Sequence, residues 1–331
     1  MSLHAATPDD DDERPEGEPA RSDQAGNPAP GWLVDLRRSD HRRGFYQSLG
    51  NYALVFTDRG SDQLIVSFDN LSSARDEAIG REPWGYGFVA NNGWSQLGVM
   101  AFTPRWFRDP ALFAVLEDMA ASGFFRRFRS VTLTGTSMGG YAACAFARLV
   151  PGCTVVAFSP QSTLRKDLVP WETRFAAGRK ADWSGPYADA AADCAAAGRV
   201  FLIHDPLFEP DRQHAARFCH ANTVPLPVRH SGHKSALFLR RAGLLSTIMR
   251  EAVEGGLTAA RFHALCREGR KLPWYRRGVI ERAYARGRPE LAARVIRYMR
   301  QRGQAYAAHI LRKRHLAMTG MDPFLTRART P

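Results

Sequence analysis

The chain lacks the long hydrophobic run that a membrane-spanning helix requires. Its 331 residues contain no stretch of 18 consecutive apolar residues, whereas a spanning helix needs about 20. The first twenty residues also lack the apolar core of a secretory signal and carry the acidic run from Asp9 to Glu13 instead. These two absences argue against a membrane span or a secreted protein and predict a cytoplasmic location.

Cysteine is scarce and irregularly spaced. The chain has five cysteines and no Cys-x-x-Cys pair, at Cys144, Cys153, Cys194, Cys219 and Cys266. This odd-numbered set argues against a disulfide framework and a zinc site, so we expect free thiols that pack as small hydrophobic side chains. The Gly-Lys-Ser/Thr signature of a phosphate-binding loop is absent as well. We therefore predict neither a metal nor a cofactor.

Lysine is also rare, and arginine carries most of the net charge of +13. Residues 1–30 have a net charge of −6 and few apolar side chains, so we expect a disordered acidic arm. Residues 257–331 have a net charge of +14, and the segment between these two has only +5. Because arginine suits contacts with phosphate and carboxylate, the basic end is either a solvated surface or a docking surface for an anionic partner, such as nucleic acid, phospholipid or acidic glycan.

The apolar pattern of residues 45–255 alternates between strand and helix periods. Short apolar runs bounded by turn residues predict strands, at 52–56, 64–68, 97–102, 130–134, 153–158, 199–203 and 224–228. Helical spacing of apolar residues predicts helices, at 110–127, 138–149, 188–198, 211–219 and 235–253. This alternation predicts an α/β fold with a mostly parallel sheet covered by helices on both faces.

Beyond Gly255 the pattern predicts only short helices. Residues 257–331 are therefore expected to form a small, basic helical appendage that takes no part in chemistry. Residues 160–188 lie between two predicted strands, where we expect a cap that shapes the substrate pocket. Tryptophan and tyrosine are frequent in the segments between predicted strands and helices, and they are either packing anchors or a surface on which sugar rings stack. They are Trp84, Tyr86, Trp94, Trp106, Trp171, Trp183 and Tyr187.

The segment Gly135-Thr136-Ser137-Met138-Gly139 has the form Gly-x-Ser-x-Gly. A predicted strand enters this segment and a predicted helix of small residues leaves it, which is the setting of a nucleophile elbow. The two glycines remove side chains that would collide in so tight a turn, and they leave the hydroxyl of Ser137 exposed. A glycine-rich loop that opens a helix and holds a phosphate is the alternative.

An acid and a histidine should follow a nucleophilic serine in that order. Asp205 follows the strand at 199–203 directly, where α/β sheets place ligand sites, and is the favoured acid. Asp211 is the alternate acid, although it could simply cap a helix. His233, in the Gly-His step before the last predicted helix, is the favoured base, and His230 is the alternate.

These residues resemble the α/β-hydrolase superfamily over residues 50–253. The resemblance rests on the elbow, on Ser159-Pro160 after the next strand, on Asp205 and on Gly232-His233. It implies a catalytic triad and an oxyanion hole, to which the Met138 N–H would contribute. The second donor would be Asn70, because the usual His-Gly step after the early strand is absent. The adjacent Asp69 would disfavour an oxyanion unless it points away.

The wider pattern, including Asn91-Asn92-Gly93-Trp94 and the segment from Trp183 to Tyr187, resembles bacterial proteins associated with surface-glycan production and accessory secretion. Together the motifs predict a serine esterase acting on a small-molecule or glycan ester. An acyltransferase would use the same triad with an alcohol as acceptor. A non-catalytic scaffold on the same fold, working through its basic helices, is the third hypothesis.

Overall fold

The computed structural model describes residues 32–34, 44–76 and 80–325. The acidic arm predicted for residues 1–30 lies outside this part of the chain. Contacts between residues divide the protein into two compact units. The first unit contains the chain up to Val200 together with residues 218–222, and the second contains residues 201–217 and the chain from Thr223 onward.

One sheet of eight strands has the order β1-β2-β4-β3-β5-β6-β7-β8. The strands are β1 (Phe45–Ser48), β2 (Tyr52–Thr57), β3 (Gln63–Phe68), β4 (Ser95–Ala101), β5 (Ser130–Thr136), β6 (Thr154–Phe158), β7 (Arg199–His204) and β8 (Thr223–Pro227). Strand β2 is antiparallel to β1 and β4, whereas β4, β3, β5 and β6 run parallel. This mostly parallel order is that of the α/β-hydrolase fold, so the predicted fold class is confirmed.

The central strands are buried on both faces. Strand β3 carries Leu64, Ile65 and Val66 in succession, all nearly inaccessible to solvent. Such continuous apolar runs suit a parallel sheet, because helices cover both of its faces. Strands β3 and β5 pair in register up to Phe68 and Gly135. The loops that leave these two strands therefore start side by side at one edge of the sheet, which places the elbow next to the loop after β3.

Besides the helical residues 32–34, the described ranges contain twelve α-helices. They are α1 (Leu71–Ala74), α2 (Tyr86–Asn91), α3 (Pro110–Ala121), α4 (Met138–Ala145), α5 (Ala190–Asp193), α6 (Glu209–Ala215), α7 (Ser235–Arg241), α8 (Leu245–Val253), α9 (Ala259–Cys266), α10 (Pro273–Ala285), α11 (Pro289–Gln301) and α12 (Ala305–Thr319). Helix α2 lies in a region for which the sequence predicted neither a helix nor a strand. The single helix predicted for 235–253 is two helices, because the chain turns at Gly243 with a left-handed backbone.

The last three helices, α10 to α12, pack around an apolar core of their own within the second unit. Ile280, Ile296 and Met299 are fully buried there, and Leu311 of α12 completes the cluster. Several arginines of these helices contact aromatic rings. Arg276 is 8% exposed and lies over the Tyr298 ring, 4.9 Å from its centroid. Arg276 therefore does not lie on a solvated surface, which was one of the two roles considered for the basic end of the chain.

Candidate active site

The turn between β5 and α4 holds Ser137 in a strained conformation. Ser137 has φ 52° and ψ −114°, a combination that costs a non-glycine residue roughly 1–3 kcal/mol. A Cβ on Gly139 would lie well inside van der Waals contact with the Phe68 carbonyl oxygen, and one on Gly135 would meet the Gly139 backbone. The two glycines are thus required by close approach of backbone to backbone. This turn has the geometry of a nucleophile elbow.

A buried glutamine donates a hydrogen bond to the candidate nucleophile. Gln161 Nε2 lies 3.2 Å from Ser137 Oγ, and Gln161 Oε1 accepts a hydrogen bond of 3.1 Å from the Trp106 indole. Because an indole N–H can only donate, it fixes the orientation of the amide and turns the NH₂ group toward Ser137. The serine oxygen is therefore held as an acceptor, so its own proton can be donated to a base.

Gln161 was missed in the sequence analysis, although a signal for it was present. It follows the Ser159-Pro160 step at the end of β6, the strand paired with β5 in parallel. Its neighbours are strained as well. Trp106 has φ 51° and Ser159 has φ 45°. Backbone strain of this kind persists where the surroundings over-determine a conformation, as happens at functional sites.

Met138 and Asn70, the two residues predicted for an oxyanion hole, lie at the start of α4 and directly after β3. Met138 is the first residue of α4, and the first N–H groups of a helix have no acceptor within the helix. Asn70 follows β3 directly and caps α1, where its Oδ1 accepts a hydrogen bond of 2.8 Å from the Ser73 N–H. A Cβ on Gly139 would lie 2.8 Å from the Asp69 carbonyl oxygen, which shows how close this loop is to the elbow.

The carboxylate of Asp69 forms an ion pair with Arg81. Asp69 Oδ2 lies 2.6 Å from Arg81 Nη1 and accepts a further bond of 3.0 Å from the Ala101 N–H. Its other oxygen accepts a hydrogen bond of 3.2 Å from the Trp84 N–H. Both oxygens are occupied by these donors, so the carboxylate that the sequence placed next to the oxyanion hole is counterbalanced by Arg81.

The second unit contains an acid–histidine pair. His233 Nδ1 lies 2.8 Å and 3.0 Å from the two carboxylate oxygens of Asp211. The Asp211 side chain is 1% exposed and that of His233 16%. Since an ionised carboxylate can only accept, the proton of the neutral imidazole sits on Nδ1 and leaves Nε2 with a lone pair. Nε2 is the nitrogen that a general base uses in a catalytic triad.

Asp205, predicted as the partner of His233, does not make this bond. Its Oδ1 accepts a hydrogen bond of 2.8 Å from the Leu207 N–H, and its Oδ2 one of 2.9 Å from the Gly232 N–H. The hydrogen bond expected between Asp205 and His233 is thus made by Asp211 instead, while the Asp205 oxygens accept from backbone donors. Burial raises the pKa of Asp205, and these donors oppose the shift.

Asp211 is also not the helix cap considered as its alternative role. The cap position of α6 is Phe208, and Asp211 lies in the first turn of the helix. From there its carboxylate reaches the imidazole.

The alternate base, His230, lies on the other side of the same loop. It has a left-handed backbone with φ 66°, and its ring meets Tyr275 of α10 edge-on. Burial lowers the pKa of His230, and Arg282 and Arg229 lower it further. His233, and not His230, thus forms the hydrogen bond with the Asp211 carboxylate.

A cavity of about 450 Å³ lies in the segment predicted as a cap. It is lined by Leu164, Arg165, Lys166, Asp167, Arg179, Trp183, Ser184 and Gly185. A Cβ on Gly178 would contact both Leu164 of this lining and Trp106, whose indole donates to Gln161. The lining combines cationic side chains with an indole.

Among the described residues, no group of three His, Cys, Asp or Glu side chains could hold a metal ion. In the same ranges, no helix combines the length and the apolar character needed to cross a membrane.

Comparisons with known proteins give likenesses in solved structures only. No protein-family model matches the chain. No curated protein matches it either. An esterase from Pyrococcus furiosus is 17% identical, with 70% of this chain and 95% of that one covered and a TM-score of 0.46. Carboxyl esterase 2 from Tuber melanosporum is 15% identical, with 71% and 86% covered and a TM-score of 0.41.

A glycosylation-associated protein complex from Streptococcus agalactiae is 13% identical, with 65% of this chain and 47% of that one covered and a TM-score of 0.43. At such identities and scores these likenesses carry no conclusion about activity. The fold assignment therefore rests on the strand order and the elbow of this chain.

Proposed function

We propose that this protein is a serine hydrolase that cleaves an ester through Ser137, His233 and Asp211. The observation that carries the proposal is the left-handed backbone of Ser137 between two glycines that cannot bear a side chain. Holding a serine in this conformation costs free energy. In α/β-hydrolases, a strained turn of this kind exposes the nucleophilic serine. The buried Asp211–His233 pair supports it independently.

In the proposed reaction, Ser137 Oγ attacks the ester carbonyl carbon while His233 Nε2 takes the hydroxyl proton. The Met138 N–H and a donor from Asn70 stabilise the oxyanion that forms. His233 then returns the proton to the leaving alcohol, and the acyl group stays on Ser137. Water attacks the acyl-enzyme with His233 as base, which releases the acid and restores the serine. Asp211 holds the imidazole tautomer throughout.

The cavity supports an ester with a polar or anionic group, such as an acylated glycan. Lys166 and Arg179 supply positive charge, and Trp183 supplies an aromatic surface, whereas the charge of Arg165 is balanced by its ion pair with Asp167. An acyltransferase would share every step up to the acyl-enzyme and differ only in the acceptor.

The test is hydrolysis of a short-chain p-nitrophenyl ester by the full chain and its variants. Ser137→Ala should lower kcat on the order of 10⁴-fold, because loss of one triad member removes the nucleophile. Ser122→Ala, at an exposed serine, should leave kcat unchanged and is the matched control. Retention of more than a tenth of the activity by Ser137→Ala would contradict the proposal. Adding an alcohol acceptor distinguishes transfer from hydrolysis by the product formed.

A further inference from the structure

The loop that carries His233 is held on two sides within the second unit. On one side, Asp205 accepts the Gly232 N–H and also receives a hydrogen bond from the His230 backbone. On the other side, His230 packs against α10, where the Tyr275 ring lies 4.9 Å from the imidazole, centroid to centroid. The left-handed backbone of His230 is thus fixed by contacts on both sides of the loop.

Gly278 is the point on α10 that allows this contact. A Cβ at position 278 would lie 2.6 Å from His230 Cβ and 2.9 Å from His230 Nδ1. Glycine in a helix interior costs roughly 1 kcal/mol relative to alanine. The missing side chain lets helix and loop come together, and Tyr275, Gly278 and Arg282 share the helix face that meets His230 because they are spaced by three and four residues.

The contact combines packing of the imidazole with its hydrogen bond to the Gly278 backbone. Burial lowers the pKa of His230, and Arg282 of α10 and Arg229 of the loop lower it further, while the Gly278 backbone opposes the shift. A neutral imidazole pressed against a helix fixes the position of the backbone that carries it. His233 is three residues further along this short loop.

We propose that α10 positions the catalytic base: Gly278 and Tyr275 hold His230, and His230 holds the loop that aims His233. The inference rests on the proposed function. It makes His230 a positioning residue and gives the C-terminal helices a role in the reaction, which differs from the separate appendage expected from the charge distribution. A displacement of about 1 Å at a catalytic group can lower turnover by about 100-fold.

The test is the Gly278→Ala variant of the full chain, assayed with the same p-nitrophenyl ester. The new methyl group must push His230 away, so kcat should fall about 10- to 100-fold with KM within twofold. Gly87→Ala is the matched control, because Gly87 lies in α2 with open space around its Cα. That variant should keep the wild-type kcat.

Rescue by a second substitution separates positioning from general damage. His230→Gly tolerates the left-handed backbone and removes the Cβ that the methyl group would meet. The double variant should therefore have the kcat of His230→Gly alone, which should itself lie below wild type at unchanged KM.

An unchanged kcat in Gly278→Ala overturns the inference. Should Gly278→Ala not fold, His230→Gly alone decides it, and an unchanged kcat there overturns it equally. Wild-type protein that cleaves no ester overturns the proposed function and this inference together, whereas an active wild type with unaffected variants overturns the inference alone.

Discussion

Ser137 is held by its own neighbours in the turn, whereas Asp211 and Gln161 reach their partners across 22 and 24 residues of the chain. The elbow could be predicted because strand, turn and helix are consecutive in the chain, so Ser137 is identified by its own neighbours. The acid could not be predicted, because Asp205 and Asp211 both follow β7 within a few residues. Only tertiary contacts distinguish between them. Gln161 was missed for the same reason, since its contact with Ser137 spans 24 residues.

The two aspartates should respond differently to substitution. Asp211→Asn should lower kcat about 10⁴-fold, because the amide favours the wrong imidazole tautomer, and should change the melting temperature little. Asp205→Asn should instead destabilise the fold by about 1–3 kcal/mol, since its NH₂ group would face a backbone N–H that now has no acceptor. Kinetics and thermal melting of both variants measure this. The reverse assignment of kinetic and stability losses would return the catalytic role to Asp205.

At the scale of elements, the interior strands could be predicted and the edge could not. The strands β3, β5 and β6 are apolar and bounded by turn residues, whereas β1 has an exposed pattern that carries little strand signal. Helix α2 was missed because Gly87 lies within it and Gly85 and Asn92 border it, and glycine and asparagine disfavour helices in isolation. Tertiary packing decides here, since Tyr86 and Val89 of α2 are buried against the sheet.

A partly buried carboxyl on the short helix α5, that of Asp193, should make folding stability depend on pH. Burial raises the pKa of Asp193 to about 6, with Arg148 opposing the shift. The folded state therefore keeps its proton to higher pH than the unfolded state, so raising the pH from about 4 to about 6 removes stability.

The Asp193→Asn variant has an amide in place of the carboxyl group, so no ionisation at this position can lower its stability as the pH rises. Relative to wild type it should be more stable at pH 7, by about 1 kcal/mol after allowance for solvent screening, and equally stable near pH 4. Thermal melting of both proteins at the two pH values checks this. A stability difference that is independent of pH would show that Asp193 ionises normally in the folded protein.

At the level of the whole molecule, the two units hold different candidate site residues and different charge. The elbow, Gln161 and the cavity belong to the first unit, and the Asp211–His233 pair and the arginine-rich helices belong to the second. The composition predicted that this end of the chain is basic, but it could not predict that some of the arginines form ion pairs and contact aromatic rings within it. Arg314 pairs with Glu281, and Arg312 with Asp322 while also lying over the Phe324 ring. Docking of an anionic partner on this surface stays a prediction.

We propose that His233 and Asp211 activate Ser137 as a nucleophile. Reaction of the full chain with a fluorophosphonate probe, followed by mass spectrometry of the modified peptide, tests this. We expect one adduct, on Ser137, formed rapidly by wild type, absent from Ser137→Ala and strongly slowed in Asp211→Asn. A protein that stays unlabelled under conditions that saturate a known serine hydrolase, or one labelled at another residue, would contradict it.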